Sequence, residues 1–393
     1  MSIHRNDISV TVVTGEFEFM KLRTEWNNLS EATIPLSVFL RHEWFDAAWQ
    51  WLKSECSLYI LCFTHNNVLI GIAPLIMRIV KVRGFHIRSC EFLSIPDTQE
   101  CDVLARPGDR TDVVTTLCCY LGSKKNNWDR LDLSKIPATS PTIDALAGIS
   151  KTLKLRILSE GNGTNPGLSL QGTWEAYYGR RSRRLKKGNN HIASRLARSG
   201  TLMEMHHITR TTIPATENIE STVKTVTHLS SRSWKHATGL TLDHPGPAAF
   251  LQRLTESAFR EGWLSIWTLT LNEQVAAMEY QIVYNGVISA LRADYDPQYV
   301  ELSPGSYLNW KLLEKSFQSS ERYYQMGPGD ITYKMRWAEE YVELRRIAIF
   351  NGSLRGRLLG IIETLLRPAI KRVSSRFRNT IPQSDTQLKS VSE

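Results

Sequence analysis

The segment that decides the fold is Tyr295-Asp296-Pro297-Gln298-Tyr299-Val300-Glu301-Leu302-Ser303-Pro304-Gly305, because it joins a predicted strand at 287–294 to a predicted helix at 306–319. A helix N-terminus offers unpaired backbone N–H groups and a partial positive charge, which suit phosphate oxygens. Gly305 lets the backbone approach a ligand closely, and Pro304 stiffens the entry into the helix. The segment predicts a phosphate-binding loop, with a simple helix cap as the alternative. The expected backbone donors are those of Gly305, Ser306, Tyr307 and Leu308.

A strand meander precedes this loop in the second half of the chain. The pattern predicts a helix at 247–261, then strands at 263–271, 275–284 and 287–294. Asn285-Gly286, between the last two strands, is a strong signal for a two-residue hairpin turn. After the helix at 306–319, the sequence predicts a short strand at 323–326, a Gly-rich turn and a closing strand at 342–350.

The first half of the chain repeats this order of elements. It predicts a helix at 37–53, strands at 58–63 and 68–79 around an Asn66-Asn67 turn, a helix at 109–122 and a strand at 128–133. Leu69-Ile-Gly-Ile-Ala and Gln274-Val-Ala-Ala-Met fall in the same register, which favours a duplicated α+β unit over a chance recurrence. Residues 159–167 are dense in turn residues and predict a domain boundary.

Composition bounds the class of protein. The 393 residues are 42% hydrophobic and 22% charged, which excludes a disordered chain and fits two domains. The six cysteines show no C-x-x-C spacing, so we expect reduced thiols in a cytoplasmic protein. The net charge of +9 favours anionic partners: a phosphate-bearing cofactor, nucleic acid or an anionic membrane surface.

The positive charge is concentrated in two segments. Residues 180–198 contain eight cations and no acid, and residues 353–378 contain seven cations and one acid. The second segment carries apolar residues at steps of three and four, which predicts an amphipathic helix, kinked at Pro368. An apolar stripe flanked by Arg and Lys suits the headgroup region of an anionic bilayer, and a terminal helix docked on its own domain is the alternative.

Several common catalytic motifs are absent from the sequence. It contains no G-x-x-x-x-G-K-[ST] phosphate loop, no G-x-S-x-G nucleophile, no H-E-x-x-H and no Cys/His cluster at zinc spacing. We therefore expect neither a bound metal nor one of the chemistries that depend on those motifs.

Seven segments, taken in order, resemble the CelD-like branch of the GNAT superfamily of N-acyltransferases, a branch associated with bacterial cellulose and exopolysaccharide clusters. They are Val68-Leu-Ile-Gly-Ile-Ala-Pro-Leu75, Gly179-Arg-Arg-Ser-Arg-Arg-Leu-Lys-Lys187, Ser233-Trp234-Lys235, Gly262-Trp263-Leu264, Tyr295-Asp296-Pro297, Ser303-Pro304-Gly305 and Gly329-Asp330-x-x-Tyr333-Lys334. The resemblance implies an α+β protein of two tandem GNAT-like domains, in a layout similar to the Fem-type peptidoglycan bridge ligases.

The expected domain division follows from that resemblance and from the turn-rich stretch. We expect an N-terminal, non-catalytic GNAT-like domain at 1–160, a linker at 161–178, a C-terminal catalytic domain at 179–350, and a basic helix with a disordered tail at 351–393. The N-terminal domain lacks a clear phosphate loop, so its expected role is to shape the acceptor cleft.

Acyl transfer from a thioester to an amine needs a proton acceptor, oxyanion stabilisation and a proton for the leaving thiolate. The candidate bases are Asp330, Glu279, Asp294 and Asp296, and the candidate acids for the thiolate are Tyr295 and Tyr307. A backbone N–H on the strand at 287–294 is the candidate oxyanion donor. Lys334 is expected to bind a phosphate or to pair with Asp330. Where the family often has an acid before the Gly-Asp pair, this chain has Gln325.

The predicted function is transfer of an acyl group from acyl-CoA to an amine on a sugar, amino acid or lipid precursor, without a metal. The resemblance implies a basic helix around Arg183 and Arg184 that binds the adenosine phosphates of coenzyme A, an anionic lipid-linked acceptor or tRNA. Two alternatives stay open: a Fem-type ligase that uses aminoacyl-tRNA, and a non-catalytic module that binds a membrane or polysaccharide machinery. The expected location is the cytoplasm, with peripheral attachment to the inner face of the membrane through residues 353–378.

Overall fold

The computed structural model describes residues 7–33, 35–82, 84–124, 126–153, 155–212, 219–239, 241–329 and 332–366. The strands are β1 (Ile8–Val13), β2 (Ser57–Leu58), β3 (Ile60–His65), β4 (Val68–Ala73), β5 (Leu75–Val82), β6 (Phe85–Phe92), β7 (Leu104–Ala105), β8 (Arg130–Pro137), β9 (Arg156–Ser169), β10 (Met203–Thr209), β11 (Leu264–Leu271), β12 (Gln274–Tyr284), β13 (Val287–Tyr295), β14 (Tyr323–Gln325) and β15 (Glu340–Phe350). The helices are α1 (Glu16–Lys21), α2 (Arg23–Glu31), α3 (His42–Leu52), α4 (Arg110–Ser123), α5 (Pro141–Thr152), α6 (Trp174–Gly179), α7 (Arg183–Arg198), α8 (Ile219–Arg232), α9 (Pro245–Glu261), α10 (Pro304–Ser316), α11 (Thr332–Trp337) and α12 (Leu354–Ile361). The predicted α+β class is confirmed.

The described strands form two sheets. A small sheet has the order β1-β3-β4-β7, and a large mixed sheet has the order β10-β11-β12-β13-β14-β9-β15-β8-β6-β5-β2. The parallel pairs are β13 with β14 and β6 with β8, and each pair is connected by a helix, α10 or α4. The same strand–helix–strand unit therefore occurs once in each half of the chain.

The duplication extends to the hairpins. The β3–β4 hairpin turns at Asn66 and Asn67, and the β11–β12 hairpin turns at Asn272 and Glu273, all four with positive φ. In both hairpins the pairing register shifts two residues before the turn, between Phe63 and Thr64 and between Leu269 and Thr270. A bulge at the same place in both hairpins supports the predicted duplication of an α+β unit.

The last strand of each half is exchanged. β9, which ends the N-terminal half (residues 8–169), pairs with β14 of the C-terminal half (residues 174–350). In return β15, which ends the C-terminal half, pairs with β8 of the N-terminal half, and β9 and β15 pair with each other. One sheet therefore runs through both halves.

Helices also join the two halves on one side of the sheet. α3 packs against α9, with Trp44 and Phe250 in an edge-to-face contact at 5.4 Å between ring centroids. Asp46 and Arg253 form an ion pair at 2.6 Å beside it. One hydrophobic core therefore includes residues from both halves. No helix in the described part of the chain is long and apolar enough to cross a membrane.

Two segments fold differently from what their sequence pattern suggests. The turn-rich stretch at 159–167 lies inside β9, because β14 and β15 supply backbone hydrogen-bond partners that outweigh its Gly, Asn and Pro content. The strand predicted at 68–79 is two strands, β4 and β5, which separate at Pro74 and enter different sheets. A proline has no N–H for a sheet ladder, so a strand readily divides there. The domain boundaries themselves stay a prediction.

Candidate active site

The predicted phosphate loop connects β13 to α10. After β13, Asp296 caps a short 3-10 helix (Pro297–Leu302), its carboxylate accepting a hydrogen bond from the Gln298 N–H at 3.0 Å. Ser303 then adopts a left-handed backbone conformation, with φ 51° and ψ 50°, which turns the chain into α10. Pro304 is the first residue of that helix, and its first turn contains no acid. The loop thus presents the N-terminus of a 13-residue helix without a competing carboxylate on its first turn.

A basic helix lies beside this loop. The Arg195 guanidinium, near the end of α7, donates a hydrogen bond to Ser303 Oγ at 2.8 Å. Leu185, at the other end of α7, packs in a cluster with Trp310 and Phe317 of the α10 region, so the two helices run antiparallel. The exposed Arg183 and Arg184 therefore lie about 18 Å along the helix from Arg195, away from the loop.

The sequence predictions do not include Arg195, the cation that contacts the loop. Arg195 belongs to the cationic run at 180–198, but the run does not show which end of the helix meets Ser303. The signal in the sequence is its position, three turns after Arg183 and Arg184 on one helix.

A gap opens between β13 and β14. The two strands pair only at residues 287–289 and 323–325, after which β13 continues to Tyr295 while β14 ends. The pairing of β12 with β13 skips Leu291, so β13 bulges at the point where the strands part. Beyond Ser289, no strand among the described residues pairs with this edge of β13, although Lys235 Nζ donates to its Ala293 carbonyl at 3.0 Å. Backbone N–H groups on such an edge, beside a bulge, can hold a ligand carbonyl.

The N-terminal half reaches one end of this gap. Gln99 Nε2 donates to the Ala290 carbonyl at 2.7 Å, and Asp97 pairs with Arg292 Nε at 2.7 Å, both on β13. Gly327 lies beside the Ala290 carbonyl and has a φ of +78°. A Cβ atom at this position would lie 3.1 Å from the Ala290 carbonyl oxygen and 3.1 Å from Gln99 Nε2. A residue from each half thus bounds the gap.

Glu279 on β12 is buried at the centre of a polar cluster. Its carboxylate accepts hydrogen bonds from the Tyr324 hydroxyl and from Gln281 Nε2, the latter at 2.9 Å. Burial raises the pKa of the Glu279 carboxyl, while hydrogen bonds from Tyr324, Gln281 and Asn309 and the charge of Lys334 act in the opposite direction. A carboxyl with a raised pKa and a fixed orientation is a candidate general base.

Tyr295 lies on the same face of the sheet as Glu279. Ala293 is the cross-strand partner of Glu279, and Tyr295 is two residues further along β13. A side chain on Gly305 would meet the Tyr295 ring at 3.3 Å, so the loop backbone passes close to that ring. Tyr307 is half-buried among Leu196, Leu271 and Ala276, and Ser306 is exposed. The structure therefore brings together Glu279, Tyr295 and residues 303–307.

Asp294 and Asp296 point away from this group. Asp294 is buried and pairs with Lys235 Nζ at 2.7 Å, and Asp296 lies 3.5 Å from the Arg232 guanidinium. Arg232 is the last residue of α8, and Lys235 lies in the 3-10 helix Trp234–Thr238 that follows it. Asp294 is on the opposite face of β13 from the residue that pairs with Glu279. Asp296 and Glu279 are thus not neighbours, although both were candidate bases.

Lys334 is held inside the protein. Its Nζ donates to the carbonyls of Gly327 and Pro328, each at 3.0 Å, and burial lowers its pKa to about 8. These contacts fix the Gly-rich turn at 327–329, with Lys334 within electrostatic reach of Glu279. Asp330, the other candidate in this motif, lies outside the described residues.

Residues 186–335 match the family model of the acetyltransferase (GNAT) domain. The search of curated proteins gave no match. Among solved structures, the chain is similar to the C-terminal domain of a protein designated a lysylphosphatidylglycerol synthetase from Agrobacterium fabrum, with a TM-score of 0.54 and 9% identity over 88% of this chain and 97% of that one.

It is also similar to FemX, with a TM-score of 0.54 and 10% identity over 86% of this chain and 96% of that one. A conserved protein of unknown function from Bacteroides thetaiotaomicron matches with a TM-score of 0.52 and 8% identity, over 87% and 100% of the two chains. At such identities the structures share the fold alone. The family match is confined to residues 186–335, which form an acetyltransferase (GNAT)-type domain, and the solved structures show that the chain shares its overall fold with these proteins.

Proposed function

We propose that this protein transfers an acyl group from acyl-CoA to an amine on a sugar, amino acid or lipid precursor, in the synthesis of envelope polysaccharide or lipid. The observation that carries the proposal is the arrangement of the β13–α10 loop. The left-handed turn at Ser303 leads into the N-terminus of α10, beside the gap between β13 and β14. The GNAT family match over residues 186–335 supports the same class of reaction.

The loop and the gap fit the two ends of an acyl-CoA. In the proposal, the pyrophosphate binds the N–H groups of Gly305 and Ser306, with the Arg195 charge beside them. The Tyr307 N–H, which the sequence also predicts as a donor, is already bonded to the Ser303 carbonyl at 3.2 Å. The pantetheine then follows the free edge of β13 toward the bulge at Leu291. The thioester lies in the gap, where a backbone N–H of β13 holds its carbonyl oxygen.

The chemistry needs one proton acceptor and one proton donor. The acceptor nitrogen attacks the thioester carbon, a C–N bond forms, and the C–S bond breaks. The proton lost by the amine passes to a carboxylate, for which we propose Glu279 or Asp330, and the thiolate sulfur takes a proton from Tyr295 or from water. The raised pKa of the Glu279 carboxyl supports its place in this scheme.

The test begins with native mass spectrometry of the purified protein for bound CoA species. A panel of acyl-CoAs with amine acceptors, with thiol release as the signal, then measures turnover. We expect bound CoA and acceptor-dependent thiol release. A protein that neither binds CoA nor releases thiol with any donor would contradict the proposal.

A second candidate is aminoacyl transfer from tRNA, favoured by one observation. The first turns of α7 expose Arg183, Arg184 and Lys187, and the helix contains no acid, which is typical of a phosphate-backbone contact. The similarity to FemX is one of fold and does not distinguish the donors. Copurification of tRNA with the protein, sensitive to salt and to Arg184→Gln, would favour this donor. A protein that shows neither thiol release nor RNA binding would be a non-catalytic binding module.

A further inference from the structure

α12 is docked on the protein by its glycines and exposes its apolar residues. A side chain at Gly356 would collide with Asn351, and one at Gly360 would collide with Arg156 and approach the Phe350 ring to 3.2 Å. Leu359 is buried on the same side. The opposite side carries Leu354, Leu358 and Ile361, at steps of four and three, with 88%, 60% and 39% of their surfaces exposed. The apolar stripe is therefore not used for packing within the described part of the chain.

The β5–β6 hairpin extends this apolar surface. The Arg355 guanidinium donates a hydrogen bond to the His86 carbonyl, which places the start of α12 beside the hairpin tip. Val80 and Val82 pack against the cluster that contains Leu359. Phe85 is the cross-strand partner of Val82, so it lies on the same face of the hairpin, and it is 67% exposed. We call the surface formed by Phe85, Leu354, Leu358 and Ile361 the apolar face.

The segments that carry the apolar face are rich in cations. In sequence, residues 79–88 and 353–364 contain five cations and a single acid, Glu363, which is buried. Two of these cations, Arg88 and Arg355, lie 2.8 and 3.7 Å from the buried carboxylate of Asp129. Lys81 and Arg357 are exposed. Five more cations follow at 367–378, outside the described residues. Exposed apolar side chains ringed by cations are the arrangement that binds the headgroup boundary of an anionic bilayer.

We propose that the apolar face binds an anionic phospholipid bilayer, with α12 lying in the interface and Phe85 inserted beside it. Gly356 and Gly360 let the helix lie close against Asn351, Arg156 and Phe350, while its apolar stripe faces outward. This proposal goes beyond the transfer reaction and does not depend on it, because its readout is lipid binding.

The experiment uses the full chain with vesicles of equal parts phosphatidylcholine and phosphatidylglycerol, compared with pure phosphatidylcholine. We expect cosedimentation with the anionic vesicles that weakens as salt rises. Phe85→Ser is expected to weaken binding about tenfold, because a phenyl ring at the bilayer surface gains roughly half of the free energy of full burial and the variant loses that gain. Leu358→Ser is expected to have a similar effect, and Arg357→Gln to weaken binding about fivefold.

Matched controls distinguish binding through the apolar face from nonspecific hydrophobic binding to vesicles. Phe17 is also 67% exposed but lies on α1, and Ile79 is on the same hairpin but on its other face. Phe17→Ser and Ile79→Ser should bind vesicles as the parent protein does. Since all these side chains are exposed, the variants should keep the parent melting temperature.

Four results would overturn the proposal. The first is a parent protein that does not bind anionic vesicles, and the second is an equal effect of Phe85→Ser and Phe17→Ser. The third is loss of binding when the five cations at 367–378 become Gln while Phe85→Ser and Leu358→Ser change nothing, which would assign binding to that segment alone. The fourth is a dimer of the parent protein that Leu358→Ser dissociates, without vesicle binding, which would make the face an interface between two copies.

Discussion

The two halves of the molecule contain the same strand–loop–helix unit and use it differently. In the C-terminal half, residues 296–303 lead from β13 to α10 with an open helix N-terminus. In the N-terminal half, the longer connection at 93–109 folds back over the start of α4. There the buried Arg110 donates to the Val103 carbonyl at 2.8 Å, to Thr142 Oγ1 at 2.9 Å and to Asp102 Oδ2 at 3.2 Å.

The difference lies at the start of the helix, which is open in the C-terminal half and covered in the N-terminal half. The space at the start of α4 is filled by the side chain of Arg110, and the loop instead contacts the other half through Asp97 and Gln99. Lys135 holds this loop in shape, its Nζ donating to the carbonyls of residues 95, 96 and 98. Topology alone therefore does not assign a ligand site.

The largest expected effect tests the structural use of the N-terminal loop. Arg110→Met removes a buried cation and leaves the Asp102 carboxylate without its ion-pair partner. We expect the free energy of unfolding to fall by about 3–5 kcal/mol, measured by urea denaturation. Arg106→Met, at an exposed position of the same loop, is the control and should change little. Equal stability of the two variants would show that Arg110 does not hold the loop.

The next effect tests whether chemistry is confined to the C-terminal half. Asp330→Asn is expected to lower kcat about 10²-fold, with little change in donor affinity, if Asp330 is a general base. Asp109→Asn, which changes the acid that precedes α4, should leave kcat unaltered. Initial rates at saturating donor give both values. An Asp330→Asn protein with parent turnover would reassign Asp330 to capping of the helix that follows it.

Local signals in the sequence predicted the elements well. Asn66 and Asn67 adopt φ of 50° and 62°, and Asn285 and Gly286 adopt 49° and 73°, as their residue types favour. Glu279 was a candidate base on sequence grounds, and the structure buries it beside Tyr324. The predicted helix at 306–319 begins at Pro304, so the loop between β13 and α10 is shorter than the sequence indicated.

Contacts between distant segments could not be predicted in the same way. In β9, Asn165 Nδ2 donates to the Gln99 carbonyl and Asn162 Oδ1 accepts from the Lys135 N–H, so residues typical of turns serve contacts across the sheet. Because the halves exchange their last strands, β9 lies between β14 and β15 in the large sheet. The local sequence of β9 does not indicate such an exchange. The approach of Arg195 to Ser303 likewise depends on how two helices pack.

Gly305 and Gly108 offer a direct comparison of the two helix starts. Gly305→Val puts a branched side chain where a single carbon would already lie 3.3 Å from the Tyr295 ring, and it blocks close approach of a pyrophosphate to the backbone. We expect CoA affinity to fall at least about tenfold, by isothermal titration, with a nearly unchanged melting temperature. Gly108, before α4, has open space around it, and Gly108→Val should not alter CoA affinity. An unchanged CoA affinity in Gly305→Val would show that the C-terminal loop only caps its helix and does not bind the pyrophosphate.

The smallest expected effect concerns a feature that the two halves share. Lys135 and Lys334 each hold carbonyls of a loop, and burial lowers the pKa of each from 10.5 to about 8. Between pH 8 and 10.5 the unfolded chain keeps a proton that the folded protein has released, so each lysine makes the free energy of unfolding rise with pH. Relative to Lys135→Met or Lys334→Met, the parent protein should gain about 1 kcal/mol between pH 7 and 9, measured by urea denaturation at both values.

The pH dependence of kcat should distinguish Lys135 from Lys334, although both have the same expected effect on stability. Lys334 lies within electrostatic reach of Glu279, whereas the charges that act on Lys135 are those of Asp97 and Cys101. Loss of the Lys334 cation removes a charge that favours the ionised carboxylate, so Lys334→Met should move the acidic limb of the kcat profile to higher pH. Lys135→Met should leave that limb in place. If both variants shift the limb equally, the buried Glu279 carboxyl does not take part in the rate-limiting proton transfer, and the base must be sought at Asp330.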